Sequence, residues 1–304
     1  MNFRSRVGCA ISVGAMLAAP AIAAPIYNNL TPNNMMAVAS RPGVSAFEIE
    51  AADDFVLTSQ TAITSASFVG LVVPGTFGAP TVSEIVVEIY RVFPKDSDTS
   101  RTPNVPTRAN SPSDVALDSR DSAVPNKLTF TTALLAPTFT ANNSVQPGGI
   151  HPSPNQTTDG NGSITGQEVQ FNVTFTAPLD LPADHYFFVP QVELTNGGQF
   201  YWLSASRPIS GSGTTPFAPD LQEWTRDQFL DPDWLRVGTD IVGGTPAPTF
   251  NAAFSLDGTT VPEPSTIALF GLALALLGVS RWRAQKGLGC EALSGYSFQG
   301  IRLG

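Results

Sequence analysis

Hydrophobic and polar positions alternate with a period of two through much of the chain. Val169, Phe171, Val173 and Phe175 are separated by Gln170, Asn172 and Thr174. That spacing sends one set of side chains to a dry face and the other to water. Ile85, Val87 and Ile89 stand in the same relation to Glu84 and Glu88. Apolar and β-branched runs predict further strands over 47–50, 54–57, 61–73, 128–140, 186–194, 200–205 and 249–256. Eight or nine strands divided by turn residues predict an all-β chain, a β-sandwich of jelly-roll type. One helical piece is expected, around residues 221–229. Two long loops, 94–127 and 146–166, interrupt the pattern, and mobile insertions on the sandwich rim are the expectation for both. No internal repeat is visible.

The two ends depart from this alternation. Arg4 and Arg6 precede an uncharged apolar run over 7–19, and the small residues Ala21, Ala23 and Ala24 follow. That order predicts a secretory signal peptide over 1–23, with signal peptidase cutting between Ala23 and Ala24. A cut one bond later would place Pro25 directly after the scissile bond. Near the other end, Val261, Pro262, Glu263 and Pro264 precede an uncharged run over 267–280, which Arg281 and Arg283 stop. As a helix this run would be about 21 Å long, short of a hydrocarbon layer of about 30 Å. Its flanks favour a membrane segment all the same. Prolines keep the chain before it extended, and arginines reach a headgroup layer behind it.

The ordered set Val-Pro-Glu-Pro, apolar run and basic cluster resembles the PEP-CTERM sorting signal of exopolysaccharide-producing Gram-negative bacteria. The resemblance implies that exosortase, a membrane-embedded peptidase or transpeptidase, recognises Pro262, Glu263 and Pro264 and removes the tail. It implies a single transient transmembrane helix over 267–280 within a signal over 261–283. Arg281 and Arg283 would be the membrane stop at the inner membrane. Members of that family usually end soon after the basic cluster, whereas this chain continues over 284–304. Arg281, Arg283, Lys286 and Arg302 against Glu291 alone place that extension in the cytoplasm, with no role assigned. Ala52-Asp53-Asp54-Phe55 and Phe254-Ser255-Leu256-Asp257-Gly258 are similar to the borders of an ectodomain type common among PEP-CTERM proteins.

Charge then narrows the functions open to the part between. The chain has 304 residues, with 16 basic against 25 acidic and a net charge of −9. Residues 24–260 hold ten of the basic and twenty-three of the acidic ones. Such a surface gives no footprint for nucleic acid. The only cysteines, Cys9 and Cys290, lie outside 24–260. A disulfide scaffold and a four-cysteine zinc site are both excluded, so the core must supply stability.

Candidate chemistry is thin. His151 and His185 are the only histidines, and no Gly-x-Ser-x-Gly elbow or phosphate loop is present. A structural hydrogen bond is the expected role of His185, and no enzymatic activity is expected. Asp159, Asn161 and Ser163 put oxygen atoms at alternate positions, like the start of a calcium loop. The glycine at the sixth position and the glutamate at the twelfth are missing. Asp220, Glu223, Asp227, Asp231, Asp233 and Asp240 form a denser acidic stretch. Tyr201, Trp224 and Trp234 are candidates for stacking on sugar rings if their faces are exposed. No resident cofactor is expected, with calcium as the one alternative. The sequence thus predicts a surface-sorted protein of the extracellular matrix, structural or adhesive and associated with exopolysaccharide. The alternatives are a calcium-assisted carbohydrate-binding module and a secreted hydrolase.

Overall fold

The computed structural model describes residues 24–150, 157–206 and 221–261, together with Leu276. The signal peptide over 1–23, His151, Asp220, and all of 262–304 but Leu276 lie outside the described residues. So does the apolar run over 267–280 apart from Leu276. Among the described residues no helix is long and apolar enough to cross a membrane. The chain divides into two compact units at the bond between Thr260 and Val261.

The first unit is a two-sheet β-sandwich. Its strands are β1 (Ala24–Asn28), β2 (Pro32–Ala39), β3 (Ile49–Leu57), β4 (Thr61–Val73), β5 (Val82–Arg91), β6 (Asp118–Asp121), β7 (Leu128–Ala141) and β8 (Asn143–Val145). They continue as β9 (Ile164–Leu181), β10 (Asp184–Leu194), β11 (Gln199–Ala205), β12 (Trp224–Asp227), β13 (Leu235–Arg236), β14 (Asn251–Ala252) and β15 (Phe254–Thr260). The larger sheet has nine strands. β4 is its spine, pairing β9 along one side and β15 then β11 along the other. β7 lies outside β9, β1 outside β15, and β2 then β8 beyond β11. The smaller sheet runs β13-β12-β3-β10-β5-β6. Every pairing is antiparallel except β2 with β8.

The alternation seen in the sequence fills the space between the sheets. Val169, Phe171, Val173 and Phe175 of β9 are all buried, as are Ile85, Val87 and Ile89 of β5. Phe68, Phe171, Phe188, Phe200, Trp202 and Phe254 form the aromatic centre, with Phe68 stacked on Phe171 and Phe188 on Phe254. Trp202 satisfies its indole N–H by donating to the Ala253 carbonyl at 3.0 Å. This centre leaves no room at Gly70 of β4. A Cβ there would meet the Phe200 ring at 2.2 Å and the Tyr201 carbonyl at 2.6 Å. Gly70→Ala is therefore expected to lower unfolding stability by about 1–3 kcal/mol, read by urea denaturation.

Four expectations are corrected. Residues 221–229 are not helical, because Trp224–Asp227 pair with Ala52–Ile49 as strand β12. The only helical turn in that region is a short π-helical one at Val237–Val242. The predicted strands 47–50 and 54–57 merge into one continuous strand, β3, which leaves out Phe47 and Glu48. Residues 249–256 split around Ala253 into β14 and β15. The loop over 94–127 is no loose insertion on the rim. Its Ser113 and Leu117 amides bond to β5 carbonyls of Arg91 and Ile89, and Arg101 bonds to Asp233 at 2.6 Å.

Candidate functional site

Pleating gives the smaller sheet a second, outer apolar cluster of Ala52, Tyr90, Phe187, Val189, Leu221, Trp224 and Trp234. Beside it, alternate residues of β3, β5 and β12 bring Glu50, Glu88 and Arg226 to the same outward face. The Arg226 guanidinium bonds to the Glu50 carboxylate, donates to the Tyr90 hydroxyl at 2.8 Å and lies 2.7 Å from Asp231. Its plane sits 4.2 Å above the Trp234 ring. Burial alone would lower the pKa of Arg226, but Glu50 and Tyr90 outweigh it and the net direction is upward.

Protons are short in this cluster. The Tyr90 oxygen lies 2.8 Å from Glu50 and 2.9 Å from Glu88, yet it carries one hydrogen. Burial first, and then the charge of Glu50, push the Glu88 carboxyl up to about 7. Near neutrality about half of the molecules therefore carry a proton on Glu88 that it can donate. Glu50 and Arg226 are 3% and 5% exposed, and their polar atoms are spent on each other, on Tyr90 and on Asp231. This is a buried ion-pair network holding β12 to β3 and β5. Arg226→Lys, which cannot keep the forked contacts to Glu50 and Tyr90, is expected to cost about 1.5–3 kcal/mol. Thermal unfolding of the variant checks this.

The aromatic candidates do not form a sugar platform. Trp224 and Trp234 are each 1% exposed and Tyr201 3%. Tyr201 belongs to the main core, and the two tryptophans fill the outer cluster, against which Ala116 packs. Trp234 donates its indole N–H to the Ser113 carbonyl at 3.3 Å. Stacking on a sugar needs a free ring face, and burial removes it.

The oxygen-rich candidates are dispersed in the same way. Asp159, Asn161 and Ser163 lie in a turn before β9 whose residues Asp159, Gly160 and Gly162 have φ of 59°, 79° and 77°. Asn161 spends its side-chain oxygen on the Gln146 amide at 2.9 Å. Asn143 pins the turn further, accepting from the Gly162 amide and donating to the Asp159 carbonyl. In the acidic stretch, Asp227 accepts the Phe229 and Leu230 amides, Asp233 pairs with Arg101, and Asp240 pairs with Arg236. Among the described residues no group of three or more His, Cys, Asp or Glu side chains could hold a metal ion. His185 lies 2.6 Å from Asp54, which also accepts the Leu221 amide at 2.9 Å.

Glu223, just before β12, escaped sequence reasoning as a single residue. It is fully buried, and neither carboxyl oxygen has a hydrogen-bond partner among the described residues. Burial pushes it up to about 8. Nothing in its sequence neighbourhood separates it from the other acids of that stretch.

The remaining site begins where the sandwich stops. β15 pairs with β4 as far as Thr260 opposite Thr61, with one register shift between Asp257 and Gly258, and Val261 beyond it is 36% exposed. At the other side of β15, Ala24 of β1 lies opposite Gly258. The first residue after the predicted signal cleavage and the last strand before Val-Pro-Glu-Pro thus share one corner of the larger sheet. Residues 260–284 match the PEP-CTERM protein-sorting motif. That match covers the sequence-predicted residues Val261, Pro262, Glu263, Pro264, Arg281 and Arg283, and it meets the sandwich only at Thr260, the last residue of β15. The PEP-CTERM motif makes this an exosortase-sorted protein, secreted and processed to the cell surface or beyond. No curated protein and no solved structure gives a significant match to the chain.

Proposed function

We propose that the β-sandwich is a structural or adhesive component of the extracellular matrix, associated with exopolysaccharide and without catalysis of its own. The observation that carries this reading is the position of the PEP-CTERM motif, which begins at Thr260, the last residue of β15. Loss of everything beyond Thr260 leaves all fifteen strands in place, so the domain is cargo that survives sorting whole. Loss of residues 1–23 to signal peptidase would likewise begin the chain at β1. Anchoring through 267–280 would be transient, ending when exosortase cuts.

A non-enzymatic role is supported by what the outer face of the smaller sheet does with its carboxyls. Glu50 is turned onto Arg226 and Tyr90 under Trp234, an arrangement that fastens strands and spends this carboxylate on the fold. Quantitative proteomics of the surface fraction, with and without the exosortase, tests the assignment. The mature chain should be abundant in the surface matrix of the parent and depleted from it without the peptidase. Equal amounts in both would remove the basis for the role.

A further inference from the structure

The strands that end the two sheets are not equally protected. β8 has three residues, β13 two, and β6 four, of which three are charged. β1 has five and is broken by a bulge between Pro25 and Tyr27. Short length, charge, proline and bulges are the devices that keep sheet edges from pairing with other chains. β7 is different. It is fourteen residues long, carries no charge, and among the described residues pairs on one side only, with β9. Its first seven residues, Leu128–Leu134, hold unbroken register against Phe175–Val169, and the bulges and Pro137 come only afterwards. Thr129, Thr131, Thr132 and Ala133 are exposed, and Leu134 and Leu135 are 58% and 48% exposed. Leu134 also stands on the wall of an open groove of about 370 Å³ with Val72, Pro80, Val82, Val169 and Leu194, and no charged side chain lines it.

We propose that β7 is an association edge, through which two copies of this chain join their larger sheets into one continuous antiparallel sheet. Charge selects the occupant. Residues 24–260 hold 23 acidic against ten basic residues, so two copies repel over most of their surface. They can approach without like-charge contact where the surface is neutral, and a second β7 presents a neutral strand of the same length. A basic partner would find no carboxylate on this strand, and an anionic polysaccharide would find no cation. Antiparallel pairing of a strand with its own copy gives a closed two-fold contact that satisfies the free backbone groups of both edges. The inference deepens the structural reading above and rests on it, since sorting to one surface concentrates the copies that would pair.

The test uses the processed protein recovered from the surface fraction of a producing strain, examined by sedimentation velocity over a concentration series. A monomer–dimer equilibrium is expected. Ala133→Lys sets like charges across the contact and should raise the dimer dissociation constant by at least about tenfold. Thr58→Lys, the same charge change at an exposed turn after β3, should leave it unchanged. Because residues 24–260 contain no cysteine, single cysteines at Thr129, Thr131 or Ala133 can form disulfides only between copies. At least one of the three should do so under mild oxidation. A monomer at every concentration overturns the inference, as does a dimer that Ala133→Lys leaves intact. Failure of all three cysteines to cross-link overturns the β7 pairing. Surface recovery is measured on the same cells, so a correctly delivered monomer refutes pairing and leaves the matrix reading standing.

Discussion

Unfolding stability is expected to fall by about 4 kcal/mol between pH 4.5 and pH 8 on account of Glu223 alone. Its carboxyl is fully buried without a hydrogen-bond partner among the described residues, and burial raises it to about 8. In the unfolded chain it ionises near its ordinary value of 4.5. Between those values the native state holds a proton that the unfolded state has lost, so stability declines as pH rises. The contribution is fully present below 4.5 and gone above 8. Glu223→Gln keeps the shape and removes the titration, so the variant should lose this slope. Glu88 titrates in both proteins, and the difference between the two profiles isolates Glu223. Urea denaturation at pH 5 and pH 8 reads it directly. Parallel profiles for parent and variant would show that Glu223 is not buried as a neutral acid.

Glu263→Ala should leave the chain untrimmed, with surface release reduced nearly to zero. Two prolines flank this residue and remove two amide donors, and proline and the residue before it favour extended backbone over helix. An extended stretch with one carboxylate is what a peptidase at the membrane can grip. Pro262→Ala with Pro264→Ala should produce the same retention by letting the segment wind up. Immunoblots of cell and surface fractions distinguish trimmed from untrimmed chain by size. Normal release of the Glu263→Ala protein would mean that the triplet is not what the peptidase reads.

The strands foreseen from alternation are those where a two-residue period was imposed by a large dry interface. Residues 61–73 form β4 with the predicted limits, and 128–140 and 186–194 differ from β7 and β10 by one or two residues. β1 and β2 gave no such signal. Pro25, Pro32 and the asparagines around them read as turn residues, and pairing with β15 and β11 overrides that local preference. Residues 221–229 looked helical because apolar groups recur there at mixed spacing. Trp224 and Arg226 instead share one face of a short strand, and its partner β3 is about 170 residues away in sequence. Burial of Trp224, Trp234 and Tyr201 was equally hidden, since whether an aromatic ring faces core or solvent depends on what folds over it. Here the Ser113 carbonyl accepts the Trp234 indole N–H and Ala116 packs against the cluster that holds both tryptophans, and the composition of their segment gives no sign of that. The sorting motif was legible because its information is local and linear: a rigid triplet, an apolar run and a basic stop. The Arg226 network was not, because it joins three strands through side chains that are unremarkable one at a time.

The mass of the protein at the cell surface decides whether the sandwich is cargo released at its own border. Peptide mass spectrometry of surface material should find the chain beginning at Ala24 and ending close to the Val-Pro-Glu-Pro segment, with peptides from 284–304 missing. Intact chain reaching Gly304 as the sole surface species would contradict the account.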